Sequence, residues 1–159
     1  MQAQVALQLH PSSMLDVGAG AGIYGRPFAE HFPSCLLFAV EIRRPYIRQF
    51  RLDKIYDRVI HDDVRTICWP EVDVVILGDV LEHMAEEEAV DVWAKARDSA
   101  RLAVYLSIPI IHYPQGEYDG NPYEAHVADD YTHERVLETF PGVALYRAGS
   151  VVGTYEALT

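Results

Sequence analysis

Carboxylates that follow short apolar runs and stand beside glycines are the residues of this chain best suited to hold a small polar ligand. The run Met14-Leu15-Asp16-Val17 leads into Gly18, Gly20 and Gly22, which alternate with Ala19 and Ala21. No side chain larger than a methyl group stands on that loop. Glycine also accepts positive φ, so the backbone can turn sharply and approach a ligand closely. The helix expected over Tyr24–His31 would aim its first N–H groups at the same place. Gly20-x-Gly22-x-x-Gly25 has the spacing of a dinucleotide-binding loop. Asp16-x-Gly18-x-Gly20-x-Gly22 is a second pattern, with the acid two positions before the first glycine. Glu41 ends the next apolar run, Cys35–Val40, about twenty residues after Gly20, where a carboxylate accepts hydrogen bonds from ribose hydroxyls in either case.

These residues must be held by strands and helices in alternation. Continuous apolar runs at Met14–Val17, Cys35–Val40, Val72–Leu77 and Leu102–Ile108, with a short one at Arg58–Ile60, read as parallel strands. Between them lie helical patterns. Phe28 and Phe32 stand four apart, Pro45 opens a helix with Tyr46, Ile47 and Phe50 on its inner side, and Glu86, Glu87 and Glu88 suit a helix N-terminus. Ala89, Trp93, Ala96 and Ala100 form that last helix's apolar stripe. Thr132 caps a further helix whose Val136, Leu137 and Phe140 face the core. Val143–Arg147 and Val151–Ala157 flank Ala148-Gly149-Ser150 as a hairpin. Residues 2–9 carry one or two helical turns closed by Pro11.

The chain has 159 residues, half of them hydrophobic, which suits a single globular domain over 1–159. A net charge of -11 repels polyanions, so extended nucleic-acid contacts are not expected. Arg43, Arg44, Arg48 and Arg51 read as a solvated helix face. The sequence shows neither a membrane-spanning run nor a secretory leader, which predicts a cytoplasmic protein with no membrane contact. Cys35 and Cys68 lack metal-like spacing and read as buried thiols.

The Asp16–Gly22 pattern resembles the first motif of class I S-adenosylmethionine (SAM)-dependent methyltransferases. Asp79-Val80-Leu81-Glu82-His83, at the end of the Val72–Leu77 run, resembles a turn that recurs in the same family. With the closing hairpin, it favours SAM over a nicotinamide cofactor. The resemblance covers the chain from about Met14 to its end, and implies a three-layer Rossmann-like α/β fold with a mostly parallel seven-stranded sheet and an antiparallel C-terminal hairpin. Asn121-Pro122-Tyr123, before the helix at Thr132, resembles a bacterial subset acting on small molecules and glycans. Asp16, Gly18, Gly20, Gly22, Glu41 and Asp79 would bind the cofactor. Asp63, or its neighbour Asp62, would meet the adenine amino group, with the Val64 backbone alongside.

The reaction implied is methyl transfer to oxygen or nitrogen of a small-molecule or sugar acceptor, bound under the long segment Pro109–Asp129. Its His112, Tyr113 and His126 are the candidate bases. The order Asp79-x-x-Glu82-His83 also resembles the divalent-ion site of RNA 2′-O-methyltransferases and ubiquinone-pathway O-methyltransferases, with His112 or His126 completing it. Many relatives carry Leu-Glu-His without metal, so no metal is expected, and Asp79, Glu82 and His83 are the ligands if one binds. Fewer residues precede the first strand than is usual in the family, which leaves the site open or closed by a second subunit in a homodimer. The alternatives are a SAM- or nucleotide-binding module without transferase activity and, further off, a nicotinamide dehydrogenase.

Overall fold

The computed structural model describes residues 10–159, so the helical turns expected at 2–9 lie outside the described residues. Seven strands form one sheet: β1 (Ser13–Val17), β2 (Leu36–Val40), β3 (Arg58–Ile60), β4 (Val72–Gly78), β5 (Ala100–Pro109), β6 (Ala144–Ala148) and β7 (Val152–Leu158). Their spatial order is β3-β2-β1-β4-β5-β7-β6. The first five pair in parallel, with Leu15 opposite both Phe38 and Val75, while β7 runs antiparallel to β5 and β6. The chain order reverses between β1 and β4, which makes the crevice beyond their carboxyl ends the place for a ligand.

Side chains alternate across the central strands, as the two-residue period of a strand requires. Leu15, Val17, Val75, Leu77, Val104 and Leu106 go to one core. Met14, Val74, Ile76, Ala103 and Tyr105 go to the other. Helices cover both faces, so the central strands β1, β4 and β5 are buried on both sides over most of their length. Helix α1 (Gly25–His31) places Phe28 against Phe32, ring centroids 4.7 Å apart, over the second core. Helix α2 (Arg44–Gln49) buries Tyr46 and leaves Arg44 and Arg48 in solvent, but the basic cluster is not one solvated helix face, because Arg43 folds back over the Tyr46 ring and Arg51 lies beyond the helix in a left-handed turn. Helix α3 (Glu86–Ser99) buries Ala89, Val92, Trp93 and Ala96 in the first core, and helix α4 (His133–Thr139) adds Val136.

Three further expectations are corrected. Ala100 is not on the α3 stripe but begins β5, where the backbone turns extended after Ser99. Leu137 faces solvent, because the short α4 turns only Val136 inward and its capping residue Phe140 fills the remaining space. Cys68 is exposed, while Cys35 is buried as expected, because Cys68 lies in the irregular connection between β3 and β4 rather than on a packed element.

Candidate cofactor and acceptor site

The glycine loop turns at the end of β1 through three left-handed residues, Gly18 (φ 66°), Gly20 (φ 49°) and Gly22 (φ 72°). Space adds to the requirement at Gly18 and Gly22. A Cβ on Gly18 would lie 2.5 Å from a methyl of Val80, and one on Gly22 would lie 2.6 Å from Ile55. The loop's amides are directed into the protein. Gly18 and Ala19 N–H both donate to the Val40 carbonyl at 2.9 and 3.1 Å, and Gly22 N–H donates to Ala19. Gly20 N–H donates to Glu41 Oε2 at 2.7 Å. Four amides are thereby taken, which leaves little of the cradle a pyrophosphate needs and suits a ligand without phosphate.

Glu41 is buried at the tip of β2. Its other oxygen, Oε1, accepts the Arg43 N–H at 2.7 Å. A carboxylate offers about four lone-pair directions, so two remain to accept further hydrogen bonds. Burial raises its pKa above the ordinary glutamate value, against the pull of the two N–H donors. Asp16 is fully buried under the loop and accepts the Tyr56 hydroxyl. It does not line the cavity and supports the loop from beneath.

Burial pushes the Asp16 pKa up to about 7 from 3.8, with the Glu41 charge adding to the rise and the Tyr56 hydroxyl opposing it. The folded state therefore holds a proton that the unfolded chain has released. Asp16's relative contribution to stability is complete below its ordinary pKa and is lost as pH rises through about 7. Asp16→Asn should flatten the fall in stability between about pH 4 and pH 7, read as urea midpoints of the two proteins across that range.

Asp62, Asp63 and Val64 follow β3 and line the same cavity. Asp63 is gripped by Arg65, Nε to Oδ1 at 2.9 Å and Nη2 to Oδ2 at 2.5 Å, and this pairing holds its pKa low. Arg65 also reaches Glu88 of α3 at 2.7 Å. Asp63 is thus a fixed anion beside the buried Val64. Asp79 follows β4 in a left-handed conformation (φ 55°). It accepts Ser107 Oγ at 3.0 Å on Oδ1 and the Tyr24 hydroxyl at 3.1 Å on Oδ2. Tyr24 lies flat on Gly78, where any Cβ would come within 1.9 Å of its ring. Gly78→Ala should push Tyr24 off Asp79 and weaken cofactor binding by about 1 kcal/mol, the usual worth of the displaced hydrogen bond, as read by calorimetric titration of the variant.

Gly18, Gly20, Glu41, Asp62, Asp63, Val64 and Asp79 thus meet on one cavity of about 400 Å³. Asp16 and Gly22 stand behind it. The rest of the wall includes residues the sequence reading had not assigned to the site, notably Tyr24, Tyr46, Tyr118, Tyr123 and Glu124, together with His83. Asn121 is buried in that wall, where its side chain accepts Tyr123 N–H at 3.2 Å and donates to Glu124 at 3.1 Å. The aromatic density of the Pro109–Asp129 segment was the available signal for this wall. The three base candidates do not line the cavity. The His112 side chain is 71% exposed and sits 3.8 Å from Asp129. Tyr113 is exposed at the surface. His126 packs edge-on against His83, ring centroids 4.9 Å apart, and it is His83 that reaches the cavity.

A family model described as a methyltransferase domain matches residues 15–101, from β1 to the start of β5. The chain belongs to that family, within the class I SAM-dependent methyltransferases, and its cofactor is S-adenosylmethionine. Among solved structures, a candidate O-methyltransferase from Nostoc punctiforme superposes with a TM-score of 0.74 at 16% identity, over 99% of this chain and 54% of that one. The chain therefore spans about half the length of that protein. The N-terminal domain of EvdMO1 with S-adenosylhomocysteine bound gives 0.72 at 13% identity, over 99% and 79% of the two chains. Magnesium protoporphyrin IX methyltransferase from Synechocystis, with SAM bound, gives 0.69 at 16% identity, over 99% and 77%. No curated protein sequence matches the chain. No helix among the described residues is long and apolar enough to cross a membrane.

Proposed function

We propose that the protein transfers the SAM methyl group to an oxygen or nitrogen of a small-molecule or sugar acceptor. The observation that carries this reading is the wall of Tyr118, Asn121, Tyr123 and Glu124, which faces the cofactor carboxylates across one cavity. The sulfonium makes the methyl group electrophilic, so the protein's main tasks are to align the nucleophile in line and to exclude water. The strand-end carboxylates hold the nucleoside and the amino-acid end. The two tyrosines offer flat apolar faces to a ring, and Asn121 and Glu124 offer polar atoms at its edge. Mitomycin 7-O-methyltransferase, which shares the fold at 15% identity, is one relative with a small-molecule acceptor in its name.

A hydroxyl or protonated amine must lose a proton during transfer. We assign that step to the His83 imidazole on the loop side of the cavity, with His126 packed behind it, ahead of the more exposed His112 and Tyr113. Burial lowers the His83 pKa, against the pull of its hydrogen bond to the Ala125 carbonyl. The test is release of S-adenosylhomocysteine from labelled SAM with a panel of hydroxylated aromatics, amines and sugars, set beside RNA and peptide substrates. Turnover confined to small molecules is expected. Turnover only on RNA or peptide, or on nothing despite bound SAM, contradicts the proposal, and the last result favours a cofactor-binding module.

A further inference from the structure

We propose that Glu82, His83 and His126 form a binding site for one divalent transition-metal cation of the Zn²⁺ type, at the edge of the cofactor cavity. Among the described residues these three bring one ligand atom each to within 4.8 Å of one another. The set differs from the one the sequence order Asp79-x-x-Glu82-His83 suggested. Asp79 is occupied by Tyr24 and Ser107 and does not join it. His126, one of the two histidines expected to complete the set, comes in from the long segment, and His112 does not.

Three features prepare the cluster for a cation. Glu82 is 1% exposed, and its Oε2 is buried without a hydrogen-bond partner. A buried carboxylate oxygen left in that state is costly unless a cation or a proton meets it. His83 Nδ1 donates to the Ala125 carbonyl at 3.2 Å, and His126 Nδ1 donates to the Tyr113 carbonyl at 2.6 Å. Both rings then carry their lone pair on Nε2, and a backbone carbonyl fixes the orientation of each, the outer-shell arrangement of a ligating histidine. The loop is also pinned in register with the turn, because Val127 and Ala128 N–H donate to the Glu82 carbonyl at 2.8 and 3.0 Å. One carboxylate and two imidazoles leave open positions in a four- or six-coordinate shell, and His83 joins the cluster to the cavity wall.

Cation binding stands apart from the acceptor reading above and is measured without turnover. An ion held there would make both imidazoles ligands and would take over from the histidine base by lowering the pKa of a bound acceptor hydroxyl. Co²⁺ serves as the spectroscopic probe. The chelator-treated full chain should take up one equivalent, with the visible absorption bands of an ordered site, and Zn²⁺ should displace it. His126→Ala should weaken Co²⁺ binding at least about tenfold. Glu82→Gln should do the same; where this buried substitution prevents folding, the half-exposed His126 carries the test. His112→Ala, on the same segment, should bind as the parent does. Absence of the bands in the parent chain overturns the site. So does unchanged affinity in His126→Ala, or an equal loss in His112→Ala. SAM titration of the same samples separates this failure from a failure of the cofactor site.

Discussion

Glu41→Ala should weaken SAM binding by roughly 1.5–3 kcal/mol, about 10- to 100-fold, in isothermal titration. The side chain stands at the crossing of two functions. Its oxygens anchor the glycine loop through Gly20 and the start of α2 through Arg43, each at 2.7 Å. Its remaining lone pairs face the cavity. Alanine removes both functions, so the loss should exceed that of an ordinary surface contact. Glu41→Gln sorts the two contributions. The amide keeps one acceptor but turns an NH₂ toward one of those two N–H donors, so it should fall between wild type and alanine. A thermal melt of each variant shows whether the fold survives. Full affinity in Glu41→Ala would place the ribose elsewhere.

Trp93→Ala should cost about 3–5 kcal/mol of stability and lower Tm by roughly 10 °C or more. Trp93 is 1% exposed on the inner side of α3 and lies 5.7 Å, centroid to centroid, from Phe140 at the end of α4. Its indole N–H donates to the Pro141 carbonyl at 3.2 Å. One side chain therefore joins α3 to the end of α4 and to the turn that follows it. Its loss leaves a cavity and strips that carbonyl of one of its donors, although Arg97 also reaches it at 3.0 Å. Val90→Ala, an exposed position on the same helix, should change stability by no more than about 0.5 kcal/mol. Urea denaturation of the pair gives the comparison. A loss below about 1 kcal/mol for Trp93→Ala would mean that α3 and α4 are not coupled through this ring.

The strands were legible because a parallel sheet covered on both faces needs continuous apolar runs, and Cys35–Val40 and Val72–Leu77 are such runs. The meeting of three strand-end carboxylates on one cavity was legible for a related reason. Parallel strands end on one edge, so Glu41, Asp63 and Asp79, each at or just beyond a strand's end, had to converge. The errors fall where periodicity stops carrying information. Leu137 has the spacing of an inward residue, but a helix as short as His133–Thr139 turns only one side chain fully inward. Cys68 is an apolar residue type on an irregular connection, and no pattern gave its depth.

The Pro109–Asp129 segment shows the same limit at the site itself. Its length and aromatic content marked it as functional. Which of its side chains reach the cavity depends on the path of its backbone. That path is set by contacts distant in sequence, chiefly Val127 and Ala128 to Glu82. They carry His126 to His83 and leave His112 and Tyr113 at the surface, and no spacing rule contains that information.

The central claim is that a cavity built from the glycine loop, Glu41, Asp63 and Asp79 binds S-adenosylmethionine. Isothermal titration of the purified chain with SAM, S-adenosylhomocysteine and NAD tests it most directly. Saturable one-to-one binding of both sulfur nucleosides is expected, with no binding of comparable strength by NAD, since the loop amides that would hold a pyrophosphate already donate to Val40, Ala19 and Glu41. Tight binding of NAD with none of SAM would contradict the account.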